Sequence, residues 1–148
     1  MILSADVTIT RPPADVFAYL ADSSNWASID ETLISIEPSG PLDLGSSGWS
    51  RSQRTGLKVR TEWEITAFDP SRRFEVLITG PGYTMRETVI FDGIPAGTRV
   101  GITDELHSTS FAGRLFVAFA KRPVKTSLDA RKLRLKELVE ARAKSESG

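Results

Sequence analysis

The sequence predicts an α+β protein in which a curved antiparallel sheet is followed by one long C-terminal helix. Three observations lead there. Apolar residues alternate in a succession of short segments separated by turn residues. From about Ser110 to Ala143 the pattern becomes helical, and within that stretch Leu115-Phe116-Val117-Ala118-Phe119 has no polar face. A helix laid over the concave side of a curved sheet does not fill the space beneath it with its own side chains, so this order of elements also predicts a cavity.

Ile2 to Ile9 alternates loosely and reads as a strand ended by Arg11-Pro12-Pro13. Proline presets a helical φ and needs no amide partner in a first turn, so a short helix begins there with Val16, Phe17 and Leu20 on one face. Asn25 to Glu31 predicts a second small helix burying Trp26 and Ile29, then a strand over Leu33 to Glu37 and a Gly/Pro/Ser loop over Pro38 to Gly48. Trp49 to Thr55 is a strand diluted by Arg51, Gln53 and Arg54. In Lys58 to Phe68, Val59, Thr61, Trp63 and Ile65 share one face. Asp69-Pro70-Ser71-Arg72 has a type I turn signature. Strands over Phe74 to Ile78, Tyr83 to Phe91 and Thr98 to Leu106 follow, separated by Gly80-Pro81-Gly82 and a Gly93 to Gly97 loop. Repeats and linkers are absent, so one domain over 1–148 is expected, with 143–148 as a frayed tail.

Composition narrows the function classes. With 148 residues, of which 40% are hydrophobic and 26% charged, the chain is long enough for a substantial core. The absence of cysteine excludes disulfides, thiolate nucleophiles and cysteine-based zinc sites. The start lacks a basic region leading into an apolar stretch, and no run of apolar residues is long enough to span a bilayer. A cytoplasmic protein without a membrane span is expected. Net charge is zero but uneven: Arg114 to Lys144 carries ten basic residues against three acids, a net +7, while residues 1–113 carry −6. A solvated helix face is the expectation for that basic segment rather than a nucleic-acid or anionic-membrane surface, because no aromatic residue is interleaved after Phe119 to stack on bases or anchor in lipid.

Two strands carry an anomaly. If Val89 and Phe91 face the interior, alternation brings Tyr83, Met85 and Glu87 to the same face; if Val100, Ile102 and Leu106 do, so does Asp104. A buried carboxylate must be paired, hydrogen-bonded, protonated or wetted. Either a β-bulge or an edge position relieves the cost, or Glu87 and Asp104 line a pocket as polar groups or as an acid/base pair with divergent pKa values. His107, the only histidine, reads as a surface residue. No nucleophile elbow, phosphate loop, dinucleotide fingerprint or calcium loop is present, so neither a cofactor nor a metal is expected. Trp63 is the aromatic candidate for a pocket wall.

Val7-Thr8-Ile9-Thr10-Arg11-Pro12-Pro13-Ala14-Asp15-Val16-Phe17, with Asn25-Trp26 following, resembles the start of the START-like superfamily (SRPBCC) in its polyketide cyclase/dehydrase branch. Trp63-Glu64-Ile65-Thr66-Ala67-Phe68-Asp69-Pro70 is similar to that branch's strand and Asp-Pro turn, Gly97-Thr98-Arg99-Val100 to its last hairpin, and Leu135 to Glu140 to its helix end. The resemblance implies a helix-grip fold: a seven-stranded antiparallel sheet wrapped around the C-terminal helix, with two short helices after the first strand and a hydrophobic cavity between sheet and helix. It implies no universal catalytic motif. In a cyclase of this kind a carboxylate, Glu87 or Asp104, removes a proton from a bent poly-β-ketone while a donor, Tyr83, steadies the enolate. Thr61, Trp63, Ile65, Met85, Val89, Phe111, Leu115 and Phe119 are the expected ligand-binding positions. The competing classes are a carrier or sensor that binds a fatty, isoprenoid or aromatic molecule unchanged, and an interaction module that pairs with a second copy or partner through 111–119.

At about 100° per residue, Phe111, Leu115 and Phe119 share one helix face, whereas Val124, Leu128, Leu135 and Leu138 cluster nearly opposite. Pro123 stands between them. A kink or break at Lys121 to Pro123 is therefore expected, dividing a front segment that closes the cavity mouth or meets a partner from a basic rear segment that grips the sheet.

Overall fold

The computed structural model describes residues 1–54 and 57–147, with backbone only for Arg54 and 143–147. Part of the expected tail, Gly148 and the side chains of 143–147, lies outside the described residues, as does Thr55 at the end of its strand. The strands are β1 (Ile2–Ile9), β2 (Leu33–Glu37), β3 (Ser47–Arg54), β4 (Leu57–Asp69), β5 (Arg73–Gly80), β6 (Tyr83–Ile94) and β7 (Gly97–Ser108). They form one seven-stranded antiparallel sheet in the order β1-β7-β6-β5-β4-β3-β2. The helices are α1 (Pro13–Leu20), α2 (Trp26–Ile29), preceded by a 3₁₀ turn over Ser23–Asn25, and α3 (Phe111–Ser147). This is the helix-grip architecture, α3 lying across β1 and β7 with α2 against it.

The chain must cross from one sheet edge, β1, to the other, β2, and α1 and α2 make that crossing. Pro13 occupies the first turn of α1, as its missing amide requires. Val16 and Phe17 are buried as expected, joined by Tyr19, while Leu20 is half-buried. Phe17 anchors an aromatic cluster, meeting Phe68, Phe74 and Phe91 edge to face at 5.1, 6.2 and 5.3 Å between centroids. Trp26 extends it to Trp63 at 5.3 Å.

Two turns differ from the sequence reading. Arg72 N donates to Asp69 O at 3.0 Å, but Ser71 has φ 66°, which belongs to the third position of a type II turn rather than type I. The expected Gly93 to Gly97 loop shrinks to Pro95 and Ala96, because Ile94 already pairs with Gly97.

α3 runs unbroken through Pro123. Its buried positions, Gly113, Ala120, Val124, Leu128, Leu135 and Val139, recur at intervals of four or seven residues and form one continuous stripe. The break at Lys121 to Pro123 and the change of face are therefore corrected. Pro123 and Phe119, whose carbonyl loses its amide partner there, both lie on the exposed side of the helix, away from the core. The start of α3 is held by close backbone contact: Ser110 Oγ accepts the Gly113 amide at 3.0 Å, Gly82 O accepts Thr109 N at 2.8 Å, and a Cβ on Gly113 would fall 1.7 Å from Gly82 O. Only glycine at 113 lets the helix sit against the β5–β6 turn.

Candidate functional site

Between the sheet and α3 lies a cavity of about 500 Å³. Its floor is apolar: Trp26 and Ile29 from α2, Trp63 from β4, Phe74 and Val76 from β5, and Val89 from β6. Leu57 and Phe116 line it as well while remaining 68% and 42% exposed, which places the mouth between the β3–β4 hairpin, the β5–β6 turn at Pro81 and the first turns of α3. Tyr83 lies there, its ring stacked on Phe116 with 4.8 Å between centroids.

The polar lining converges on one residue. Arg131 projects from the inward stripe of α3, one turn after Leu128, and bridges two strands: NH1 donates to Glu87 Oε2 on β6 and NH2 to Asp104 Oδ2 on β7 at 2.8 Å. Glu87 and Asp104 are direct partners in the β6–β7 register, so the alternation that puts both on the concave face also brings them together. No bulge intervenes. Asp30 and Ser127 also contribute to the wall, as does Ser52. On the far side of the cavity Ser50 and Thr61 share a 2.6 Å hydrogen bond.

The electrostatics follow from two carboxyls sharing one guanidinium. Burial pushes the Asp104 carboxyl up, and the Glu87 charge beside it pushes further, to about 8, against the pull of Arg131. For Glu87, burial is outweighed by the charge of Arg131 and by hydrogen bonds from Asp104 and Arg131, which hold it below the usual carboxylate range. Arg131 stays charged: burial disfavours the cation, but Glu87 and Asp104 more than compensate. The cluster therefore holds an ionised Glu87, a charged Arg131 and a protonated Asp104 near neutrality.

A stability consequence follows. A carboxyl whose folded pKa lies above its unfolded value binds its proton in the native state when the unfolded chain has already lost it, so stability falls as pH rises from about 4 to about 8. The loss reaches at most about 1.4 kcal/mol per pH unit, or about 2 kcal/mol between about pH 6 and pH 8. Urea unfolding across that range should show this slope in the wild type and not in Asp104→Asn. A flat wild-type profile would mean that Asp104 is already ionised.

The expected site residues separate into three groups. Thr61, Trp63, Tyr83, Met85, Glu87 and Val89 line the cavity. Ile65 and Asp104 are fully buried but sit outside its wall, Ile65 within the core and Asp104 behind Glu87 and Arg131. Phe111, Leu115 and Phe119 are 77%, 53% and 80% exposed, on the face of α3 turned away from the sheet, and do not line the cavity. The physical reason is the unbroken helix: with one inward stripe from Gly113 to Val139, those three positions point outward, and Phe116 reaches the cavity in their place. His107 is exposed and paired with Glu105 at 2.9 Å. Sequence reasoning missed Arg131, treating it as one of ten basic residues. Its spacing from Leu128 and Leu135 put it on the buried stripe, and a lone arginine there is the signal that was available. Among the described residues no group of three or more His, Asp or Glu side chains is placed to hold a metal.

A curved sheet gripping a long helix over an apolar cavity defines a hydrophobic-ligand-binding domain of the helix-grip class. The sequence matches the family described as polyketide cyclase / dehydrase and lipid transport over residues 2–140, and the chain belongs to that family. No curated protein sequence matches it. Among solved structures it is similar to protein CV1439 from Chromobacterium violaceum, with a TM-score of 0.77 at 15% identity, covering 95% of this chain and 98% of the other. It is also similar to TTHA0849 from Thermus thermophilus, with a TM-score of 0.75 at 22% identity and the same coverage. The structure of Ara h 8.0201 matches with a TM-score of 0.69 at 14% identity, again over 95% and 98% of the two chains. At these identities the likeness shows the fold.

Proposed function

We propose that this protein binds an apolar small molecule carrying a neutral hydroxyl or carbonyl group, and holds it unchanged as a cytoplasmic carrier or sensor. The observation that carries the reading is a largely apolar cavity whose charged wall is centred on the Glu87–Arg131 pair. The volume falls in the range of small-molecule sites, about 300–1,000 Å³. Glu87 accepts, and the Arg131 Nε is a buried donor left without a partner, which together match a hydroxyl, while a ligand carboxylate would meet the charge of Glu87 with both terminal guanidinium nitrogens already engaged. The catalytic alternative, with Glu87 or Asp104 as base and Tyr83 as donor, is less favoured. Glu87 is already clamped by Arg131, and Asp104 stands behind the wall holding a proton.

Calorimetric titration with 2-naphthol and 2-naphthoate, one ring system with a neutral or an anionic polar end, tests this directly. The naphthol should bind about tenfold more tightly, the equivalent of one unfavourable charge contact of about 1.4 kcal/mol, and Glu87→Gln should narrow the gap. Preference for the naphthoate would overturn the neutral-end reading, and no binding by either compound would overturn the ligand site.

A further inference from the structure

The outer face of the first turns of α3 has a composition that ligand binding does not explain. Phe111, Leu115 and Phe119 fall within an arc of about 80°, opposite the buried stripe, and together form an exposed apolar ridge. Arg122 lies in line with the ridge, and Arg114 and Lys121 flank it on one side. From His107 to Leu128 there are four Lys or Arg residues and no Asp or Glu. Arg114, Lys121 and Arg122 are exposed and make no ion pair among the described residues, whereas Lys125 is held by Asp129 at 3.1 Å. Phe116, on the adjoining side of the same helix, stacks on Tyr83 at the cavity mouth.

We infer that this face of α3 docks on an anionic lipid surface. The ridge is convex and offers protruding rings rather than a pocket, so it suits insertion into a fluid apolar layer while the cations lie at headgroup level. A second copy is a poorer match. A two-fold contact through the same face would bring the cations of both copies together with no acid between His107 and Leu128 to pair them. The helix lies on the surface without crossing it, since no helix among the described residues is long and apolar enough to span a membrane. Docking by this face holds the mouth at the bilayer, so an apolar ligand passes between lipid and cavity with little exposure to water. That last consequence rests on the cavity reading; the docking itself does not.

Co-sedimentation with vesicles tests the inference without any ligand. The protein should sediment with vesicles of phosphatidylglycerol and phosphatidylcholine in equal parts, not with phosphatidylcholine alone, and should dissociate as salt rises. Phe111→Ser with Phe119→Ser should weaken binding at least about tenfold, and Arg114→Glu with Arg122→Glu should abolish the preference for anionic lipid. Both double variants should keep wild-type thermal unfolding and naphthol affinity, because none of the four side chains is in the core or the cavity wall. Three outcomes would overturn the inference: protein left in the supernatant at low salt, equal binding to neutral vesicles, or a concentration-dependent dimer in sedimentation velocity that the phenylalanine variant abolishes. The last would assign the ridge to a second copy.

Discussion

Arg131→Met should destabilise the protein by about 3–5 kcal/mol, the cost of leaving the buried Glu87 carboxylate without its cation. The substitution keeps an unbranched apolar stem in place of the arginine's, so packing of that stem on the inward stripe of α3 changes little and the charge accounts for most of the loss. For a chain of this length the melting temperature should drop by about 10 °C or more. Glu87 then faces the protonated Asp104 across the β6–β7 pairing without its cation, and its own protonation is the relief that remains. The variant should accordingly regain stability as pH falls from about 7 to about 5. Combining it with Glu87→Gln removes the buried negative charge and should restore most of the loss. A single variant that unfolds within about 1 kcal/mol of the wild type would show that water, not Arg131, satisfies the two acids.

Phe17→Ala should have a comparable effect, about 3–5 kcal/mol, for a different reason. Phe17 is buried where α1 meets the sheet, in edge contact with Phe68, Phe74 and Phe91, so its removal opens a cavity at the centre of that cluster. Chemical denaturation reads this as a lower midpoint at constant slope. Phe119 provides the contrast, since it is the same residue type on the outside of α3 and its replacement should move the midpoint by less than about 0.5 kcal/mol. A loss of under about 1 kcal/mol for Phe17→Ala would mean that the aromatic cluster is not packed as described.

The element order was legible because each signal is local. Alternation marks a strand, Pro12-Pro13 opens a helix, and neither depends on what lies across the molecule. The turn at Asp69 to Arg72 was legible as a turn but not as its type, because Ser71 takes the left-handed conformation that side-chain statistics assign to glycine. The front of α3 was misjudged for a related reason. A run that is apolar all round contains no information about which side is inward, and Pro123 drew the face change to a place where the helix continues.

By itself, the sequence put Glu87 and Asp104 on the concave face through the period of two residues in each strand, with a β-bulge as the alternative that the uninterrupted β6–β7 register removes. It also determined that an apolar cavity would lie under the last helix. Only the tertiary structure decided what compensates those acids, because Arg131 reaches them from 44 and 27 positions away, on a helix whose rotation over the sheet no local pattern encodes. The same rotation turned Phe116 toward the cavity and left Phe111, Leu115 and Phe119 facing outward. Burial is a property of two surfaces meeting, and a sequence read one segment at a time contains only one of them.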